Sequence, residues 1–289
     1  MKLGRKILTA VPVGFARNGD VDLRASREIL RFVAASGVQG GFVIGTTGEF
    51  ASLDRRERQV LAAISLEELT GLRTVIHVGA PSAYEVLRLL ADARDLGATQ
   101  VAVITPYYLP TTDAAVLRFF AAVSAAAEGM SVFVYIFRAR TGFAVSDELL
   151  AKLADLPNIV GAKVSGDPIE RLDAYRSAVP DSFELMTGSD ADLGIVPEHG
   201  GSGVVSGVAS AFPEPFLRLV RAAESNDDTG FAEAQSQIDA VVALISGDPA
   251  RMKETLRIRG IDAGYSRMAL DDPAPDVLAA LRRAVRQYA

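Results

Sequence analysis

The chain contains no cysteine. That excludes a disulfide framework, a thiolate nucleophile and a zinc site built on thiolates. Lysine is scarce as well, with five against twenty-five arginines. Acidic residues outnumber basic ones, for a formal net charge of -6 and a pI near 5.1. No stripe of clustered Lys and Arg interrupts that balance, so a nucleic-acid surface is not expected. The two histidines, His77 and His199, stand far apart without metal-ligand spacing or a neighbouring nucleophile, and read as core or surface residues. No run of about 18 uninterrupted apolar residues occurs, and Met1 to Lys6 opens without a long apolar segment. These features predict a soluble, cytoplasmic protein whose partners are small metabolites, with neither nucleic acid nor membrane involved.

What is present is a chain of 289 residues, 49% hydrophobic, long enough to bury a substantial core. Short apolar, β-branched runs recur along it: Ile7 to Val11, Gly41 to Ile44, Thr74 to Val78, Val101 to Thr105, Val132 to Phe137, Ile159 to Val164, Phe183 to Thr187 and Val204 to Val208. Between them lie stretches of helical periodicity, namely Leu23 to Ala35, Arg55 to Leu69, Tyr84 to Leu96, Ala114 to Glu128 and Asp147 to Ala154. Asp54 with Glu57, and Ser82 with Glu85, have the spacing of an N-cap and its partner three residues on. The alternation fits a (β/α)8 barrel better than an open doubly wound sheet, because no run reads as an edge and continuous apolar strands suit a parallel sheet buried on both faces. After Phe212 the pattern turns helical, through Pro215 to Ala223, Phe231 to Ser246, Arg251 to Ile261 and Val277 to Tyr288. The expected division is a barrel over residues 1–225 and an appended helical region over residues 226–289.

One of the few lysines, Lys163, sits in the apolar run Ile159-Val160-Gly161-Ala162-Lys163-Val164-Ser165. An amine whose pKa is lowered in such a setting can attack a carbonyl and form a Schiff base, which arginine cannot do. The plainer alternative is a lysine at a strand end with its head in solvent or paired with Asp167. In a barrel, active groups belong at the carboxyl ends of the strands. That rule places Lys163, Tyr135 and the Gly45-Thr46-Thr47-Gly48-Glu49 turn at one mouth.

The Gly45 to Glu49 turn offers two hydroxyls and approachable amides that suit a carboxylate, or it is simply a tight turn. Tyr135 is either a core phenol or a proton shuttle. Thr105-Pro106-Tyr107-Tyr108 either shapes a pocket or caps the barrel. Arg138 and Arg140 offer a carboxylate clamp, though loop arginines are usually solvated or paired. Asp190 and Asp192, after Gly188 and Ser189, read as the acidic first turn of a helix rather than a metal site.

In this order and spacing, Gly45 to Glu49, Thr105 to Tyr108, Tyr135 with Arg140-Thr141-Gly142, and Gly161-Ala162-Lys163 resemble the dihydrodipicolinate synthase / N-acetylneuraminate lyase family. The resemblance extends to Gly200-Gly201-Ser202-Gly203 and to Lys253 through Arg267. It implies a class I, Schiff-base-forming lyase or synthase without metal or organic cofactor, in which Lys163 forms an imine with pyruvate or another 2-oxo acid. It assigns Tyr135 the proton shuttle, Thr46 and Thr47 the hydroxyl relay and the pyruvate carboxylate, and Tyr108 a contribution across a subunit interface in a homodimer or homotetramer. Gly188 and Val205 match positions lining the pocket around the imine, and Arg140 matches the arginine that grips the second substrate. The best-matching activity is that of 4-hydroxy-tetrahydrodipicolinate synthases, which condense pyruvate with aspartate semialdehyde. The alternatives are a 2-keto-3-deoxy sugar-acid aldolase or dehydratase of the same family and a barrel that binds a 2-oxo acid without turnover. One departure is local. Where the family commonly reads Tyr-Asn-x-Pro, this chain reads Tyr135-Ile136-Phe137-Arg138, so that a bulky Arg138 either adds a second cationic contact or occupies space that the synthases leave for substrate.

Overall fold

In a computed structural model, which describes residues 4–289, eight parallel strands follow one another in chain order around a closed barrel. They are β1 (Lys6–Ala10), β2 (Gly40–Val43), β3 (Arg73–His77), β4 (Gln100–Ile104), β5 (Ser131–Ile136), β6 (Ile159–Val164), β7 (Glu184–Thr187) and β8 (Gly203–Ser206). The helices between them are α1 (Leu23–Ala35), α2 (Arg55–Glu68), α3 (Ala83–Asp95), α4 (Asp113–Ala126), α5 (Arg138–Thr141), α6 (Asp147–Ala154) and α7 (Arg171–Ala178), with α8 (Pro213–Ser225) after β8. The C-terminal helices are α9 (Asp228–Ile245), α10 (Pro249–Ile258) and α11 (Pro275–Tyr288). The (β/α)8 architecture is the one the alternation predicts, and the open sheet is excluded. No helix among the described residues is long and apolar enough to cross a membrane.

Several strands begin one residue earlier than the apolar runs suggest, on Lys6, Gly40, Arg73, Gln100 and Ser131. At the other end Val11, Ile44, Val78 and Thr105 lie past the last ladder residue yet stay buried. Burial therefore outlasts strand geometry at the carboxyl ends, which is why a pattern of apolar residues slides the strands forward.

Two expectations are corrected. The segment after Asp190 forms a 3-10 turn, Asp190–Gly194, and not an α-helix; its preceding residue Ser189 makes no side-chain cap. The stretch after Phe212 is not helical throughout: α10 stops at Ile258, Gly260 takes a left-handed φ of 84°, and the chain runs without helix until Pro275.

The chain divides into two compact units, one built on Val75–Val204 with the described residues ahead of Lys6, the other joining Lys6–Thr74 to Val205–Ala289. In the first, β4 to β7 pair in register at Ile104, Tyr135, Lys163 and Met186. Here α3 begins on Ser82, whose hydroxyl accepts the Glu85 N–H at 3.3 Å. In the second, the Asp54–Glu57 capping box is complete. Asp54 accepts the Glu57 N–H at 2.8 Å and Glu57 accepts the Asp54 N–H at 2.9 Å. Glu57 is also gripped at both oxygens by Arg267, at 2.6 and 2.7 Å, and the same guanidinium donates to Gly19 O and Ser52 O. That fork ties the non-helical C-terminal segment to the start of α2.

Candidate active site

Lys163 occupies the fifth position of β6, laterally paired with Tyr135 of β5. Ala162 and Val164 on either side are buried, and Lys163 itself is only 6% exposed. Its Nζ lies 4.4 Å from the centroid of the Tyr135 ring. The head is therefore not in solvent; it rests on the negative face of an aromatic ring in an apolar wall. Tyr135 is buried too. Its ring meets His77, at the end of β3, edge-on at 5.8 Å and 86°, and lies 6.1 Å from Phe137 at a tilt of 36°.

Beyond the end of β7, the Gly188 N–H donates to Val164 O at 2.6 Å. A Cβ placed on Gly188 would stand 2.0 Å from Ser165 Oγ and 3.2 Å from Lys163 Cε. The absent side chain is thus the space that the lysine stem and the buried Ser165 hydroxyl occupy. Ser165 was not singled out from the sequence, although its spacing of two from Lys163 puts both on one face of a strand. His77 is a core residue, packed against the candidate tyrosine.

The second unit holds the Gly45 to Glu49 turn. It leaves β2 between two non-glycine residues in left-handed conformations, Ile44 at φ 58° and Glu49 at φ 57°. Such conformations cost free energy and persist only where surroundings fix them. The fixing contacts are visible. Glu49 N–H donates to Thr46 O at 3.0 Å, while its buried carboxylate accepts from Lys253 Nζ at 2.6 Å and from the N–H groups of Arg267 and Met268 at 2.8 and 2.7 Å. Thr46 and Thr47 are half-buried, and Thr47 Oγ1 lies 3.4 Å from where a Cβ on Gly207 would sit. Val205, in β8, is buried. Lys253 is also buried, 2.7 Å from Tyr265 O and 4.8 Å from the Phe15 ring centroid. Burial pushes its ammonium below the ordinary lysine range, with Glu49 opposing.

Tyr108 follows the end of β4 with a φ of 79° and is 91% exposed. Arg138 and Arg140 fall on α5, a single helical turn, and both are exposed. Residues two apart on a helix do not face each other; Arg140 stacks on Phe137 at 5.7 Å. His199 pairs with Asp173 at 3.0 Å, on the surface side of its turn. Among the described residues no cluster of three or more His, Asp or Glu side chains is placed to hold a metal ion.

A sequence model of the Dihydrodipicolinate synthetase family matches residues 4–287. The chain belongs to that family. Like the other members it is an enzyme, a lyase of the class I aldolase type. It is 32% identical to an uncharacterised DapA-like lyase of Halobacterium salinarum over 95% of this chain and 91% of that one. It is 29% identical to the 4-hydroxy-tetrahydrodipicolinate synthase of Methylococcus capsulatus over 97% of both. The crystal structure of dihydrodipicolinate synthase from Thermotoga maritima superposes with a TM-score of 0.90 at 27% identity, covering 99% of each chain.

Proposed function

We propose that the protein forms a Schiff base between Lys163 and pyruvate, and adds the resulting enamine to an aldehyde, as a 4-hydroxy-tetrahydrodipicolinate synthase. The observation that carries the reading is the buried Lys163 Nζ lying over the Tyr135 ring beside the space left by Gly188. Lys163 Nζ attacks C2 of pyruvate, the carbon–nitrogen bond forms and the carbonyl oxygen leaves as water. The protonated imine then draws electrons from C3, a C3 proton departs, and the enamine carbon bonds to the aldehyde carbon of aspartate semialdehyde. Tyr135 moves protons at the imine, with Thr46 in its hydroxyl relay and Tyr108 supplied by a neighbouring subunit. Thr47 binds the pyruvate carboxylate, while Gly188 and Val205 line the imine pocket. Arg140, the arginine whose stacking on Phe137 links it to the Tyr135 side, takes the carboxylate of the second substrate, with Arg138 as an outer cationic contact. No metal or organic cofactor enters this scheme.

The competing reading within the same family is a 2-keto-3-deoxy sugar-acid aldolase or dehydratase. Steady-state kinetics with pyruvate plus aspartate semialdehyde, beside 2-keto-3-deoxygluconate alone, separate the two. The synthase reading expects the first pair to turn over with the higher kcat/KM. Preferential turnover of the sugar acid contradicts it.

A further inference from the structure

The Gly45 to Glu49 turn is tied at its last residue to the C-terminal region, within the unit formed by Lys6–Thr74 and Val205–Ala289. Both carboxylate oxygens of Glu49 are engaged there. Oε1 accepts from Lys253 Nζ at 2.6 Å, and Oε2 accepts from the Arg267 and Met268 N–H groups at 2.8 and 2.7 Å. Lys253 also donates to Tyr265 O at 2.7 Å, and the side chains of the ion pair are each 1% exposed. On its main-chain side Glu49 donates to Thr46 O at 3.0 Å, and its own carbonyl accepts from the Ser52 N–H and hydroxyl, each at 2.9 Å. Glu49 is thus clamped between the C-terminal region and the threonine turn while it holds a left-handed φ of 57°, which a non-glycine residue keeps only under constraint. Helix α10 reaches the turn a second time through Met252, the neighbour of Lys253. A Cβ on Gly207 would stand 2.7 Å from Met252 Cε and 3.4 Å from Thr47 Oγ1.

A buried ion pair is weak evidence for stability, since well-packed apolar side chains of similar volume often serve as well. What the pair adds is direction: a carboxylate with every contact assigned fixes one backbone geometry. We propose that Glu49 and Lys253 are positioning residues for the 2-oxo acid, through which the C-terminal region fixes the Thr46–Thr47 turn that receives the substrate carboxylate. The inference rests on the reading of Thr47 as the carboxylate contact and of Lys163 as the imine-forming amine. Neither member of the pair enters the chemistry; buried as they are, both act through the turn.

The test is borohydride trapping of the full chain over a range of pyruvate concentrations, read by intact mass, with urea denaturation of each variant alongside. Glu49→Gln keeps the side-chain shape but turns an NH2 group toward donors that the carboxylate served. It is expected to raise the half-saturating pyruvate concentration about tenfold or more, with the adduct yield at saturation unchanged. Glu57→Gln, which weakens the same C-terminal segment at the Arg267 side chain, is the control for lost stability; its half-saturation is expected to stay within about twofold of the wild type. Glu49→Gln combined with Lys253→Met leaves neither charge of the pair, so it is expected to fold more stably than Glu49→Gln alone and still to need more pyruvate than the wild type. Should Glu49→Gln fail to fold, that double variant carries the comparison. Half-saturation that is unchanged in Glu49→Gln, or shifted no further than in Glu57→Gln at a matching loss of stability, overturns the proposal and leaves the imine reading standing. Recovery of wild-type half-saturation in the double variant overturns it as well. A wild type that traps no pyruvate at all sinks the imine reading, and this proposal with it.

Discussion

At Gly188 the consequence of a single missing side chain is measurable. An alanine there would bring its Cβ to 2.0 Å from Ser165 Oγ and 3.2 Å from Lys163 Cε. The hydroxyl has to move and the lysine stem with it. A displacement of about 1 Å in a reacting group costs on the order of a hundredfold in rate. Gly188→Ala is therefore expected to keep the fold, by circular dichroism, and to lose about two orders of magnitude in kcat/KM. Adding Ser165→Gly clears the nearest collision and should recover part of that loss. An unaltered rate in Gly188→Ala would show that the space beside Lys163 is not used. At this scale the sequence was informative for Lys163 and Tyr135, because a rare ammonium and a phenol in apolar strands stand out. It was silent on His77, whose contact with Tyr135 joins β3 to β5 and leaves no trace in local spacing.

Among the elements, α2 and the non-helical segment after α10 are joined by the Arg267–Glu57 fork. Hydrogen bonds from Arg267 are the leading cause that holds the Glu57 carboxyl below the ordinary carboxylate range, against a smaller opposing effect of burial. A carboxylate whose folded pKa is depressed contributes stability above its unfolded value of about 4.3, and that contribution is lost as pH falls through the folded value. Glu57→Gln keeps an acceptor for the Asp54 N–H but removes the charge. Urea denaturation should find the variant less stable by roughly 1 kcal/mol or more at pH 7, with the difference shrinking steadily below about pH 4. A difference independent of pH would assign the effect to packing. The barrel strands were legible because parallel strands buried on both faces read as unbroken apolar runs. The segment from Ile261 to Ala274 was not, because its structure comes from distant partners such as Glu49 and Glu57 and not from periodicity. The single turn of α5 was equally hidden, being too short to show a helical period.

For the molecule as a whole, the first unit carries Tyr84, Tyr108 and Leu109 at 73, 91 and 71% exposure, with Tyr108 in a left-handed conformation. Tyr108 is the residue proposed to complete a neighbour's relay, and its exposure leaves the ring available for that contact. Sedimentation velocity is expected to find a dimer or tetramer, and Tyr108→Ala to lower kcat while Lys163 still forms its adduct. A fully active monomer would contradict that role. The central claim is the imine at Lys163, and its most direct test is borohydride reduction of the protein in the presence of pyruvate, followed by intact mass. The account predicts one reduced pyruvate adduct per chain in the wild type and none in Lys163→Ala; no adduct in the wild type, or one that survives in Lys163→Ala, would contradict it.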